Sequence, residues 1–253
     1  MYSVITLICL FQMVIPPSIL NVIAYPVSKR WCMNISNYIV KVLAPRLFAI
    51  LNTYRQFHFF GYKESKKLLP QQFSVVSNHQ SLLDIPALMN FFREKEIRFV
   101  AKDFLARHIP LVSEMLRIQG HCMIPRKGSP MQAMKTIEKF GSRVIKQNQI
   151  PIIFPEGTRS RDGNVGKFYS AGLRKLNEST GLPIACIALD GGYQISDMTR
   201  IMNNLENGCY RVKVLKVFDC PKTKEEEVKV LDECRSLIQA QLDEWRKLPS
   251  DVE

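Results

Sequence analysis

The sequence predicts an α/β domain, with a mostly parallel or mixed sheet flanked by helices, preceded by an N-terminal membrane-associating helical segment. Three observations predict it. Short apolar runs recur from Phe73 onward with helical segments between several of them. Apolar residues make up 46% of the 253 residues, enough to bury a core. No side-chain charge occurs before Lys29. The expected division is 1–55 for apolar and amphipathic membrane-associating helices and 56–253 for the α/β domain with its C-terminal helix.

Met1 to Ser28 is rich in Ile, Leu, Val, Phe and Met, yet lacks the basic head and small-residue cleavage site of a signal peptide. Pro16 and Pro17 should break it midway, leaving about 15 residues where a straight span needs roughly 20. The expectation is an embedded or re-entrant segment, or a kinked span with Lys29 and Arg30 at its cytoplasmic end. From Asn34 to Asn52, Ile35, Ile39, Val42, Leu43, Leu47, Ile50 and Leu51 recur at helical spacing, with Lys41 and Arg46 off the stripe and a kink expected at Pro45. Two readings fit this stretch: a basic amphipathic helix in the interface of an anionic bilayer, or an ordinary helix packed on the domain. Likewise Tyr54, Phe57, Phe59, Phe60 and Tyr62 suit either headgroup level or a core strand.

The strands are read at FSVVS (73–77), IRFVA (97–101), HCMIP (121–125), IPIIF (150–154), PIACIAL (183–189) and YRVKVLKVF (210–218). Ser129 followed by Pro130 signals a helix start. Its inward positions to about Gln147 are Met134, Ile137, Phe140, Val144 and Ile145. Thr223 and Glu226 read as a capping box for a last helix carrying Leu231, Cys234, Ile238, Leu242 and Trp245 on one face.

Net charge is +12, and residues 221–253 carry −3 of it, leaving +15 on the rest. Such a surplus asks for an anionic partner: nucleic acid, an anionic membrane or a phosphorylated substrate. Zinc-finger and RNA-recognition spacings are absent, which sets nucleic acid aside. The seven cysteines are odd in number and scattered, without a C-x-x-C pair, and the four histidines show no H-x-x-x-H pairing. A disulfide framework and a metal site are therefore not expected. Cys122 and Cys186 sit in apolar strands and read as packing residues.

Sites in α/β proteins gather where strands end. After the first strand comes NHQSLLD (78–84). His79 and Asp84 can meet across this loop, the carboxylate orienting the imidazole as a general base; alternatively Asp84 is a helix N-cap and His79 a loop residue. After Phe154 comes PEGTRS, where Gly157 allows close backbone approach and Thr158 and Arg159 offer a hydroxyl and a guanidinium fork to phosphate. A polar turn with solvated charges is the plainer alternative. IPRKGS (124–129) puts Arg126 and Lys127 at another strand end, and Lys102 ends the IRFVA strand as a weaker phosphate candidate or a surface lysine.

NHQSLLD followed about 70 residues later by FPEGTRS resembles the glycerophospholipid acyltransferase family, most closely its 1-acylglycerol-3-phosphate acyltransferase branch. GHCMIPR resembles that family's second motif at Gly120, Ile124 and Arg126, with Met123 in place of Phe. LPIACIAL matches the fourth at Pro183, with Cys186 where a second Pro is common. The resemblance covers about residues 70–190. It implies the glycerolipid acyltransferase fold and acyl transfer from acyl-CoA or acyl carrier protein to the sn-2 hydroxyl of 1-acylglycerol 3-phosphate, without a cofactor. By the same resemblance His79 is the base and Asp84 its orienting partner. Arg126, Gly157, Thr158 and Arg159 hold the acceptor phosphate, and Glu156 shapes the loop or contacts the acceptor. The implied partners are a lysophospholipid, the thioester donor and an anionic membrane surface, with the site facing the cytoplasm. Glycerol 3-phosphate or another lysophospholipid as acceptor, and a non-catalytic lipid-binding protein, are the alternatives.

Overall fold

The computed structural model describes residues 2–102, 113–125 and 129–252. Helix α1 (Tyr2–Val27) runs unbroken through Pro16, Pro17 and Pro26, which corrects the break expected at the proline pair. Each proline removes a single N–H, so the ladder resumes within a turn, and packing against the two helical segments that follow holds the axis. Its apolar stretch Ile8–Val27 has a mean hydropathy of 1.7, and only 17% of its most apolar window is buried. At about 1.5 Å per residue it is long enough for a bilayer core.

Ser28 then caps α2 (Lys29–Tyr38) by accepting the Trp31 amide at 3.3 Å. The buried Oδ1 of Asn21 accepts from Cys32 Sγ at 3.1 Å and Ser36 Oγ at 3.2 Å, closing α1 on α2 as a hairpin. The kink expected at Pro45 takes the form of a π-helical turn, Ile39–Leu43, where the Ala44 amide reaches Ile39 O. Proline cannot bond the carbonyl four residues back, and the wider turn clears its ring. Helix α3 (Ala44–Arg55) follows and packs on the domain: Ala44, Phe48 and Leu51 lie in the main core, and Lys41 pairs with Glu96 at 2.5 Å. Most of the aromatic run turns inward: Phe57 is buried, Phe59 of β1 (His58–Phe60) packs on Phe48 with tilted rings 4.6 Å apart, and Tyr62 stacks on Trp245 at 5.5 Å, whereas Tyr54 is exposed.

The remaining strands are β2 (Ser74–Ser77), β3 (Ile97–Lys102), β4 (Cys122–Ile124), β5 (Ile150–Ile153), β6 (Ile184–Asp190) and β7 (Cys209–Phe218). Between and after them come α4 (Asp84–Phe91), α5 (Ser113–Ile118), α6 (Pro130–Lys146), α7 (Ser170–Thr180), α8 (Met198–Asn204) and α9 (Lys224–Trp245). The described residues form one mixed sheet in the order β1-β7-β6-β2-β5-β3-β4. From β6 to β4 the strands are parallel; β7 is antiparallel to β6, and β1 runs parallel to β7.

Strand alternation divides the core. Val75, Ile152, Ala185 and Ile187 face α3 and α4, while Val76, Ile153, Ile184 and Cys186 face Leu173 of α7 and Leu231, Ile238 and Trp245 of α9. Burial on both faces is why these strands read as unbroken apolar runs. The capping box of α9 is formed as expected, Thr223 Oγ1 accepting the Glu226 amide at 3.1 Å. Five parallel strands therefore end along one edge of the sheet, where an open α/β sheet takes its ligands.

Candidate active site

Asp84 opens α4 but does not cap it, since the residue at the cap position is Leu83 and makes no side-chain bond. Its carboxylate turns back into the preceding loop. Oδ2 accepts the amides of Gln80 at 2.6 Å and Ser81 at 3.1 Å and lies 2.6 Å from His79 Nδ1. Oδ1 accepts the buried hydroxyl of Tyr210 on β7. Asp84 is wholly buried, so these donors replace its hydration. A Cβ at Gly192 would come within 2.8 Å of Asp84 Oδ1, which leaves glycine as the residue that fits there. With Nδ1 committed to Asp84, Nε2 is the imidazole nitrogen left for a substrate. The His79 side chain is 18% exposed and stacks on Phe154 at 4.3 Å.

Glu156 ties the second loop to the first. Its Oε1 accepts the His79 amide at 2.8 Å and its Oε2 the Gly166 amide at 3.0 Å. Burial pushes its carboxyl upward, and those two amides oppose the shift. Each oxygen thus holds one loop amide, and Glu156 itself is 6% exposed. The Ser160 amide adds a bond to His79 O at 2.7 Å. Gly157 adopts φ +65, a conformation that favours glycine, and an added Cβ would meet nothing within 4 Å, so the backbone there borders open space.

Two recesses are reached by the loop that carries His79 and Asp84, one through Gln80 and the other through Leu82. The polar one, about 330 Å³, is lined by Gln80, Thr158, Arg159, Arg161, Tyr193 and Arg200 among others. Arg200 is held against Tyr193, its guanidinium 3.9 Å from the ring centroid, and pairs with Asp197 at 3.2 Å. The other, about 310 Å³, is almost wholly apolar. It takes Met13 and Val14 from α1, Leu43 from the π turn, Ala44 and Leu47 from α3, Leu82, Ile85 and Met89 around α4, Phe99 and Ala101 from β3, and Met115 and Leu116 from α5. Phe99 stacks on Phe154 at 6.2 Å, which carries the aromatic stack from this cavity to His79.

His79, Asp84, Glu156, Gly157, Thr158 and Arg159 thus meet at the ends of β2 and β5. Lys102 is the exposed last residue of β3 and lines neither recess. Arg126 lies outside the described residues. Tyr210, Tyr193 and Arg200 were not read from the sequence, and neither was Gln80, which donates to Asp190 at 3.0 Å and accepts the Tyr193 amide at 3.2 Å. No local motif marks Tyr193, Arg200 or Tyr210, because each reaches the site through tertiary folding of the segment after β6; Gln80 lies within NHQSLLD beside His79, but its partners Asp190 and Tyr193 are brought to it only by the fold. His121 is structural: its Nδ1 accepts the Phe99 amide at 2.9 Å, and burial with nearby Arg98 and Arg143 holds it down at about 3. Burial pushes the Cys122 thiol up to about 12, which denies it a nucleophile's role.

A family model described as Acyltransferase matches residues 62–190. A 1-acyl-sn-glycerol-3-phosphate acyltransferase of Cocos nucifera is 32% identical over 116 residues, 46% of this chain and 36% of the relative. One from Pseudomonas aeruginosa is 33% identical over 118 residues, 47% of this chain and 44% of that one. The human beta protein of the same name is 32% identical over 102 residues, 38% and 36% of the two chains. The match therefore spans less than half the length of these curated relatives. The crystal structure of the 1-acyl-sn-glycerophosphate (LPA) acyltransferase from Thermotoga maritima superposes with a TM-score of 0.66 over 97% of this chain and 98% of that one, at 20% identity, and shares the fold. On the strength of the family match, which takes in β2 through β6 and both loops of the site, the chain belongs to the acyltransferase family.

Proposed function

We propose that this chain transfers an acyl group from an acyl thioester, acyl-CoA or acyl carrier protein, to the free sn-2 hydroxyl of 1-acylglycerol 3-phosphate, giving phosphatidic acid. The observation that carries this reading is the His79–Asp84 pair on a loop whose Gln80 lines an arginine-bearing recess and whose Leu82 lines an apolar cavity. A lysophospholipid and a fatty acyl thioester need one of each.

His79 Nε2 takes the proton of the acceptor hydroxyl as that oxygen attacks the thioester carbonyl. Asp84 keeps the imidazole oriented and offsets its positive charge. Collapse of the tetrahedral adduct breaks the carbon–sulfur bond, and the imidazolium returns its proton to the departing thiolate. The balance closes with ester and thiol, and no cofactor step is invoked. The substrate hydroxyl stands where a serine would in a triad, so no protein nucleophile is needed. General-base assistance accounts for roughly 10²- to 10⁴-fold; alignment of the two substrates supplies much of the rest.

Arg159 and Thr158 offer the acceptor phosphate a fork and a hydroxyl, with Arg161 and Arg200 adding positive charge around the same recess. Each acyl methylene taken into the apolar cavity contributes about 0.8 kcal/mol. Helix α1 supplies part of that cavity and exposes Ile8, Phe11, Ile19 and Leu20, which suits a chain that draws its lipids from an anionic membrane, with the site on the cytoplasmic side. The test is thiol release from acyl-CoA by the detergent-solubilised chain, supplied separately with lysophosphatidic acid, glycerol 3-phosphate and lysophosphatidylcholine. Turnover with the first acceptor is expected. Turnover only with another would move the acceptor, and silence with acyl-CoA and acyl carrier protein donors alike would overturn the enzymatic reading.

A further inference from the structure

Tyr210 is the site residue that the mechanism above leaves unused. It lies on β7, beyond the stretch that matches the family model. Its ring is wholly buried against Phe48, at 5.8 Å, and Phe59, at 6.3 Å. A phenylalanine would pack as well there, and a buried hydroxyl is costly unless it is bonded. The partner it finds is Asp84 Oδ1.

The two carboxylate oxygens are served differently. Oδ2 meets His79 and two backbone amides, whereas Oδ1 has Tyr210 and, at 3.5 Å, only a distant Ser81 Oγ. We propose that Tyr210 is a positioning residue of the dyad, holding Asp84 ionised and aligned and setting the pH at which the His79–Asp84 pair takes up its proton. This inference rests on the general-base reading of His79.

Loss of a donor to an ionised carboxylate makes the pair bind its proton more tightly, whether that proton sits on the imidazole or on the carboxylate. The other ionisable groups nearby are Glu156 after β5, which acts on the pair, and Asp190 at the end of β6, which acts on Tyr210. Substitution of Tyr210 leaves both in place. Burial, and after it the charge of Asp84, pushes the phenol well above its ordinary 10, so it remains a donor throughout the working range.

The experiment is the pH dependence of kcat/KM for the full chain in detergent, with acyl-CoA and lysophosphatidic acid, in wild type, Tyr210→Phe and His79→Ala. The acid limb in Tyr210→Phe should move to higher pH by about one unit, the worth of one hydrogen bond to a charged group. A purely packing role would lower the plateau and leave the limb where it is. A limb superimposed on wild type, with His79→Ala inactive, overturns the role of Tyr210 alone. Activity retained in His79→Ala overturns the general-base reading beneath it. Should Tyr210→Phe fail to fold, a ring-difluorinated tyrosine at 210 keeps the volume and strengthens the donor. Its limb should move to lower pH, and an unmoved limb would overturn the inference.

Discussion

The two recesses reached by the His79 loop are nearly equal in size, about 330 and 310 Å³, and opposite in construction. The polar one is assembled from two short stretches, Thr158–Arg161 and Tyr193–Arg200, with Gln80 between them. The apolar one draws a few residues from each of several elements between Met13 and Leu116. On the proposed function, the contrast follows from the physics of each ligand part. A phosphate is recognised by a few directional, charge-assisted bonds, which a loop can supply. An acyl chain is recognised by volume and water exclusion, which only the packing of several elements can define. One recess should therefore fail sharply at single residues, and the other should change by degrees.

Two substitutions break that contrast apart and a third tests stability away from both recesses, in falling order of effect. Arg159→Ala removes an exposed guanidinium from the polar recess and should raise the acceptor KM about 10- to 100-fold, the worth of a charge-assisted bond. The donor KM should hardly move, and steady-state kinetics with each substrate varied in turn would check it. Ala101→Leu puts extra carbons into the apolar cavity. It should reduce kcat/KM roughly fourfold for each methylene excluded, sparing short-chain donors and leaving the acceptor KM unchanged; a series of acyl-CoA lengths reads this directly.

The third touches neither recess. Glu227 on α9 is buried, one of its oxygens has no hydrogen-bond partner, and burial pushes its carboxyl up to about 7 from an ordinary 4.5. Below 4.5 it is protonated folded or unfolded and contributes no pH dependence. Between 4.5 and about 7 the folded chain holds a proton that the unfolded chain has lost, so stability falls as pH rises, and above that the penalty is constant. Glu227→Gln should therefore raise the melting temperature above neutrality and lose that advantage toward the acid end, with activity unaltered. Thermal unfolding across pH checks the sign.

Part of the polar half of the site was legible in the sequence, because those residues are close neighbours in the chain, whereas Tyr193 and Arg200 of the same recess were not. His79 and Asp84 span one loop, and Glu156 to Arg159 follow one strand. The six expected strands were legible too: β2, β5 and β6 are buried throughout and leave unbroken apolar runs, while β7 alternates Arg211, Lys213 and Lys216 with apolar residues over part of its length. The continuity of α1 was not, because local propensity penalises Pro16 and Pro17 while tertiary packing holds the axis. The apolar cavity has no sequence signature, as each of its residues reads as ordinary core. Tyr210 was legible as a strand residue; that its hydroxyl meets Asp84 depends on where the antiparallel β7 lies in the sheet, which no local pattern encodes.

His79, on the loop that reaches both recesses, is proposed to move the proton for acyl transfer. The most direct measurement is turnover of acyl-CoA with lysophosphatidic acid by purified His79→Ala, beside acceptor affinity by calorimetry on the same preparation. Turnover should fall at least about 10²-fold with acceptor affinity essentially that of wild type. Turnover within about threefold of wild type, well short of what a lost general base should cost, would contradict it.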